Sequence, residues 1–281
     1  MNPDLFEDVI DHLLHMKIIS EGNPASIGLL NWGEPFLNPN LDSMLAILKS
    51  RHLKAYLSSN FITYPKIGDS NLPVIKNLTF SISGFKQESY GKIHGASLSS
   101  VLNNFNKFSN RLRSHSPQSS IVVAWHRYKF NESEFWEALK YFTGRDIGFV
   151  PSVAYFNDLM EMLDFVQANL PDTRQVLAGE DRFLDYLRER MSDAAATSKN
   201  YKCPAWDYIV VDEFGRLLLC CGVTGADENG VLGGLTTMRL SEIWDSKEGN
   251  PLCEKCVSLG IAKFLYSSDG MNMPYPPGGA F

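Results

Sequence analysis

The sequence predicts an α/β protein: an incomplete barrel of parallel strands and helices, followed by a small module built from a β-hairpin and a helix. Apolar or β-branched runs alternate with amphipathic stretches through the first 170 residues, which is typical of a parallel sheet with crossover helices. All five cysteines lie in the last third of the 281 residues. A second module is therefore expected there.

The first predicted element is a helix in "NPDLFEDVIDHLLHM", because Asn2 can cap it, Pro3 suits its first turn, and apolar residues recur at helical spacing. Strands are predicted at about 26–32, 54–59, 77–83, 119–129 and 147–154, and further helices at 41–52, 97–113, 132–145 and 158–170. We assign residues 1–170 to this barrel and expect its ligand at the carboxyl ends of the strands.

A polar, helix-prone linker is predicted over 171–202, and a cluster-binding domain with its tail over 203–281. Within that domain, "YIVVDEFGRLLLC" predicts two strands around a Glu-Phe-Gly turn. The stretch "TTMRLSEIWDS" predicts a loop that enters a short helix.

The composition excludes several classes of protein. A net charge of -6 and a pI near 5.5 leave no basic surface for nucleic acid. No stretch approaches the roughly 20 apolar residues of a membrane span, and the acidic N-terminal region is unlike a secretory signal. We expect a cytoplasmic protein that binds a small or neutral ligand.

The cysteines indicate a metal or cluster site, because thiols in a reducing cytoplasm rarely form disulfides. Cys203 and Cys220 flank the predicted hairpin, and "CEKC" adds Cys253 and Cys256 from a second side. Four thiolates in this arrangement suit either a 4Fe-4S cluster or tetrahedral zinc. Cys221 is interpreted as a separate thiol.

Small and polar residues follow three successive strands. Gly33-Glu34-Pro35 places an anion and a stiffened backbone where the first strand ends, which suits a ligand ammonium group. Hydroxyl and amide groups that could bind ribose or carboxylate lie at the ends of the next two strands: Ser58, Asn60, Ser81 and Ser83. The alternative is that these residues only form turns and begin loops.

His126 and Arg127 lie near the end of the fourth predicted strand. Arg127 could pair with a carboxylate of a substrate or cofactor. A structural salt bridge is the favoured interpretation.

The serial order of "NWGEPFLNPNL", "LSSNF" and "SISGFKQESYGKIHG" resembles the radical S-adenosylmethionine (radical SAM) superfamily. The resemblance implies that Gly33, Glu34 and Pro35 bind the methionyl ammonium of S-adenosylmethionine (AdoMet), and that Ser58 and Asn60 approach its ribose. Ser81 and Ser83 belong to the third motif, in which Ser83 stands where the family often has Asp.

The segments "CPAWDYIVVDEFGRLLLCC" and "CEKC" resemble the SPASM domain and its shortened relative, the twitch domain. The resemblance implies one auxiliary 4Fe-4S cluster held by Cys203, Cys220, Cys253 and Cys256. It also implies a Cys-x3-Cys-x2-Cys loop after a first strand, yet residues 1–202 contain no cysteine. We therefore expect the chain to begin on its first helix, after that strand and loop.

The function implied for the intact form is an oxidoreductase that uses a 5′-deoxyadenosyl radical on a small molecule or a peptide. An electron donor such as flavodoxin or ferredoxin would be its partner. Without the catalytic cysteines, two alternatives stay open: a non-catalytic iron-sulfur binding or electron-transfer protein, and a zinc-stabilised α/β module. No side chain is assigned as catalytic.

Overall fold

The computed structural model describes residues 1–20, 26–30, 32–167 and 187–266. The chain folds into two compact units, one spanning Asn2–Pro151 and one beginning at Ser152. The predicted boundary at residue 170 falls within 168–186, outside the described residues. No helix among the described residues is long and apolar enough to cross a membrane.

The first unit contains a five-stranded sheet whose order follows the chain, β1-β2-β3-β4-β5, and its first three strand pairs are parallel. This confirms the predicted α/β fold with its parallel sheet. The elements are α1 (Pro3–His15), β1 (Ser26–Gly28), α2 (Leu41–Ser50), β2 (Lys54–Ser59), β3 (Ile75–Ile82), α3 (Gln87–His94), α4 (Leu98–His115), β4 (Ser120–Arg127), α5 (Phe135–Thr143) and β5 (Gly148–Val153).

Helix α1 forms where the sequence predicts it. The Asn2 side chain accepts a hydrogen bond from the Leu5 amide at 2.8 Å, and Pro3 occupies the first helical position. The apolar face of α1 is buried. Arg51 at the end of α2 forms ion pairs with Glu7 and Asp11 of α1, at 2.6 and 2.9 Å. These contacts fasten α1 to the helix that follows β1.

The second unit holds a three-stranded antiparallel sheet, ordered β6-β7-β8. The predicted hairpin is β6 and β7, but the sequence analysis missed β8. The elements are α6 (Leu159–Val166), α7 (Leu187–Ala196), β6 (Val210–Val211), β7 (Arg216–Leu218), β8 (Val231–Gly234), α8 (Leu240–Asp245), α9 (Pro251–Ser258) and α10 (Ile261–Tyr266).

The turn between β6 and β7 is held by Asp212. Its carboxylate accepts hydrogen bonds from the backbone amides of Phe214 and Arg216 at 3.0 and 2.9 Å and from the Arg216 guanidinium at 2.7 Å. Gly215 completes the turn with a φ of 78°, a conformation that glycine adopts without strain. The hairpin is therefore specified locally.

An aromatic cluster fills the first unit beneath the loop that follows β2. The Phe61 ring is fully buried and meets the rings of Phe36, Phe80 and Phe105 edge-on, at 5.0, 5.5 and 5.2 Å between centroids. The Phe61 backbone is left-handed, with a φ of 57°, which is unfavourable for a bulky residue. Packing of the ring therefore compensates for strain in the loop.

We expect Phe61→Ala to lower the free energy of unfolding by about 3–5 kcal/mol, because it removes a fully buried ring and keeps the strained backbone. Ile62→Ala is the matched control, since the Ile62 side chain is 42% exposed, and it should change stability by no more than about 0.5 kcal/mol. Urea denaturation measures both, and equal effects of the two substitutions would contradict the packing role.

Candidate functional site

The Glu34 carboxylate lies beyond the carboxyl end of β1 and joins two loops. One oxygen accepts a hydrogen bond from the Phe36 amide at 3.1 Å, and the other accepts one from the Asn60 amide at 2.9 Å. The first bond caps the short 3₁₀ turn Pro35–Leu37. The second brings the loop after β2 against the loop after β1, so that an anion is fixed at this edge of the sheet.

Gly33 leaves open space beside this carboxylate. A Cβ atom built at Gly33 would meet no protein atom within 4 Å, and the residue is exposed. Protein packing therefore does not require glycine at this position. Pro35 is buried and begins the turn that Glu34 caps.

Two of the predicted polar residues at the ends of β2 and β3 are engaged in structural hydrogen bonds, one through its side chain and one through its backbone. The Asn60 side-chain oxygen accepts a hydrogen bond from the Ile62 amide at 2.9 Å, and the Ser83 carbonyl accepts one from Asn131. Ser58 is half-buried near the end of β2. Of the predicted set, the structure brings Glu34 and Asn60 into direct contact.

Ser81 differs from the others because its hydroxyl is hydrogen-bonded to a histidine. Its Oγ lies 2.8 Å from His126 Nε2 on β4. Burial, reinforced by the neighbouring His94, lowers the pKa of His126 to about 4. His126 is therefore neutral at physiological pH.

Tyr90 and His94 on α3 extend this polar group, and the sequence analysis gave neither a role. Their rings stack at 4.5 Å. Among the described residues, the buried Tyr90 hydroxyl and the buried His94 Nε2 have no hydrogen-bond partner. Burial lowers the pKa of His94, and burial together with the charge of Glu34 raises the pKa of Tyr90 to about 12. The two buried polar atoms are thus neutral groups, in electrostatic contact with Glu34 and His126.

Helix α3 is held in place by Glu134, another residue that the sequence analysis missed. Its carboxylate accepts hydrogen bonds from the amides of Phe85 and Lys86, at 2.6 and 3.1 Å, and from the Ser89 hydroxyl at 2.7 Å. An anion at a helix N-terminus is favourable because it satisfies unpaired amides and opposes the helix dipole.

Arg127 is engaged in the structural ion pair that the sequence analysis favoured. Its guanidinium binds both oxygens of Glu132, at 2.8 and 2.6 Å, and the arginine is buried. A two-point pair of this kind fixes the guanidinium in one orientation.

In the second unit, four cysteine thiols lie near one another. Each of the six pairs among Cys203, Cys220, Cys253 and Cys256 interacts electrostatically. Burial raises the pKa of all four thiols, and those of Cys220 and Cys256 reach about 12. Cys221 Sγ lies 3.0 Å from the Tyr266 hydroxyl.

The four thiols lie near one another but do not point to one position at which a single metal ion could bind. Across residues 1–20, 26–30, 32–167 and 187–266, no group of three or more His, Cys, Asp or Glu side chains is arranged to hold a metal ion. The donor set itself suits a soft metal, because four buried thiols become thiolates only when a cation compensates them. The four residues therefore suit a thiolate-bound centre by donor type and proximity, but they do not converge on a position for a single metal ion.

Solved structures share this fold. Native anSMEcpe with bound AdoMet has a TM-score of 0.52 at 15% identity, over 98% of this chain and 84% of that one. Streptococcus suis SuiB bound to its precursor peptide SuiA has a TM-score of 0.59 at 13% identity, over 96% of this chain and 67% of that one. SuiB bound to S-adenosylmethionine has a TM-score of 0.55 at 12% identity, over 96% of this chain and 68% of that one.

Protein-family models and curated protein sequences give no match to the chain. At these identities, the likeness to solved structures establishes the fold.

We expect Gly84→Ala to destabilise the first unit by about 1–3 kcal/mol through overpacking. A Cβ at Gly84 would collide with the Tyr90 backbone nitrogen and the Ser89 hydroxyl, so α3 must shift. Gly33→Ala is the matched control, because its Cβ meets open space. Thermal or urea unfolding of both variants is the measurement, and a stable Gly84→Ala protein would show that α3 is not locked here.

Proposed function

We propose that the chain is an AdoMet-binding protein of the radical SAM type with an auxiliary 4Fe-4S cluster, acting as an oxidoreductase on a peptide in its intact form. The observation that carries the AdoMet site is the Glu34 carboxylate, fixed at the carboxyl ends of β1 and β2 by two backbone amides. A carboxylate held in this way can receive the AdoMet ammonium without moving.

The shared fold supports this proposal. Both anSMEcpe and SuiB adopt this fold, and each has been solved with AdoMet bound. SuiB has also been solved with a precursor peptide, which favours a peptide over a small molecule as the substrate of this chain.

The roles proposed for the site residues are those that the resemblance to the radical SAM superfamily implies. Glu34 and the backbone at Gly33 and Pro35 receive the methionyl group. Ser58, near the end of β2, and Asn60, just after it, face the ribose. Ser81, near the end of β3, and Ser83, just after it, complete the site. In the radical SAM superfamily, a reduced iron-sulfur cluster bound to AdoMet supplies the radical chemistry; residues 1–202 contain no cysteine to hold such a cluster. The roles proposed for the residues of the first unit are therefore limited to binding and orienting AdoMet.

The second unit is proposed to hold the auxiliary cluster through Cys203, Cys220, Cys253 and Cys256, in the reducing cytoplasm. An electron carrier such as flavodoxin or ferredoxin would exchange electrons with it. If the centre carries zinc, the zinc-stabilised module is the correct alternative; if iron is present and AdoMet does not bind, the non-catalytic electron-transfer alternative is correct.

We expect Glu34→Gln to weaken AdoMet binding by about tenfold to a hundredfold, because it removes a charge-assisted hydrogen bond to the ammonium. Anaerobic calorimetric titration at a temperature where the variant is folded is the measurement. Glu88→Gln is the control, since the Glu88 side chain is 89% exposed. If Glu34→Gln lowers stability and leaves AdoMet affinity unchanged, Glu34 only joins the two loops.

We expect Cys→Ala at any of Cys203, Cys220, Cys253 or Cys256 to reduce bound iron and acid-labile sulfide strongly, because each would remove one of four ligands. Cys221→Ala should retain both. Iron, sulfide and zinc analysis of anaerobically purified protein is the measurement. Loss of iron in Cys221→Ala together with retention in Cys220→Ala would reverse the ligand assignment.

A further inference from the structure

Lys247 is a fully buried lysine that follows α8 in the second unit. Its ammonium donates hydrogen bonds to the backbone carbonyls of Trp206 and Tyr208, at 2.9 and 2.5 Å. Both carbonyls are uncharged, so these bonds satisfy two of the three N–H donors without neutralising the ammonium. Burying a lysine costs free energy, and this cost suggests a role for its charge.

The carbonyls that Lys247 binds belong to the segment that carries Cys203. Cys203 immediately precedes the 3₁₀ turn Pro204–Asp207, and Trp206 lies within that turn. The Lys247 side chain therefore fixes the backbone that presents the first cysteine.

The backbone of Lys247 is connected to the other cysteine-bearing segment. Its carbonyl accepts a hydrogen bond from the Asn250 amide at 3.3 Å. The Asn250 side chain in turn caps α9, the helix that contains Cys253 and Cys256. Lys247 thus links the two segments from which the thiols come.

The charge of Lys247 acts on the thiols directly. Its ammonium interacts electrostatically with Cys203, Cys220 and Cys253, and with the nearby Asp207. Burial is the largest influence on Lys247 and lowers its pKa, while these four groups oppose the shift. A cation that interacts with several thiols is favourable once those thiols become thiolates.

We propose that Lys247 is a positioning residue for the four-cysteine site, and that its ammonium raises the reduction potential of the centre bound there. This inference rests on the auxiliary 4Fe-4S cluster proposed above. When the centre takes one electron from an external one-electron donor, its charge becomes more negative by one and no proton is transferred. A fixed buried cation stabilises the more negative state more strongly, so reduction becomes easier.

The test is a potentiometric titration of the full chain, reconstituted anaerobically with iron and sulfide and followed by electron paramagnetic resonance. Lys247→Met removes the charge and should shift the midpoint potential to a more negative value, whereas Lys247→Arg should stay near the wild-type value. Lys255→Met is the matched control, because Lys255 lies between Cys253 and Cys256 in sequence but is exposed to solvent. An unchanged potential in Lys247→Met, or an equal shift in Lys255→Met, would overturn the proposal.

Lys247→Met could lose iron because it no longer donates hydrogen bonds to the two carbonyls. Lys247→Gln is therefore the second neutral variant, since it removes the charge but keeps an N–H donor. If both neutral variants fold, as circular dichroism would show, but lose iron while Lys247→Arg retains it, the positioning role is supported. If Lys247→Arg loses iron as well, the role of charge is wrong. If the wild-type protein binds no iron and sulfide, both the cluster proposal and this inference are wrong. If the wild-type protein binds the cluster but Lys247→Met has the same midpoint potential, only this inference is wrong.

Discussion

The edge of the sheet that carries the candidate AdoMet site is organised by one carboxylate. Glu34 accepts backbone amides from its own turn and from the loop after β2, at 3.1 and 2.9 Å. Because the loops that follow parallel strands all lie at the carboxyl edge of the sheet, a group that contacts two of them can hold them in register. A carboxylate does this with two oxygens, and its negative charge remains at the edge.

The loop that Glu34 holds is itself strained, and the hydrophobic core compensates for the strain. Phe61 adopts a left-handed backbone next to Asn60, and its buried ring is surrounded by other phenylalanines. Strained residues persist only where their surroundings determine them strongly. The aromatic core and the carboxylate therefore act on adjacent residues of one loop, and the position of the Asn60 amide depends on both.

The sequence predicted those parts of the molecule that depend on local pattern. The five strands, the capped helix α1 and the hairpin around Asp212 each follow from residues close together in the chain. The Arg127–Glu132 ion pair is also local, and a structural salt bridge at Arg127 was the favoured interpretation. Strand β8 was missed because "VLGG" has weak strand propensity, and pairing with β7 determines its conformation.

The missed parts of the site depend on distant partners. Glu134 caps α3 from 45 to 49 residues away, and the stacking of Tyr90 on His94 matters only because their polar atoms are buried. Neither fact has a signature in the sequence, although "SISGFKQESYGKIHG" contains both aromatic residues. The cysteine spacing indicated a shared site, and the structure brings the four thiols near one another without fixing a coordination geometry.

The balance of charge in the first unit restricts the ligand that fits. Glu34 supplies an anion, whereas Tyr90, His94 and His126 supply neutral hydrogen-bonding groups, since burial opposes ionisation of all three. The guanidinium of Arg127 is already paired with Glu132. This combination suits a ligand with one ammonium group and several uncharged polar groups, because the ammonium compensates the anion and the neutral atoms satisfy the buried donors and acceptors. The ammonium and ribose hydroxyls of the proposed AdoMet ligand would use these groups, whereas its carboxylate and sulfonium require other partners. The charge at Glu34 is therefore compatible with the ammonium of the proposed ligand, and this argument does not use the order of the loop motifs.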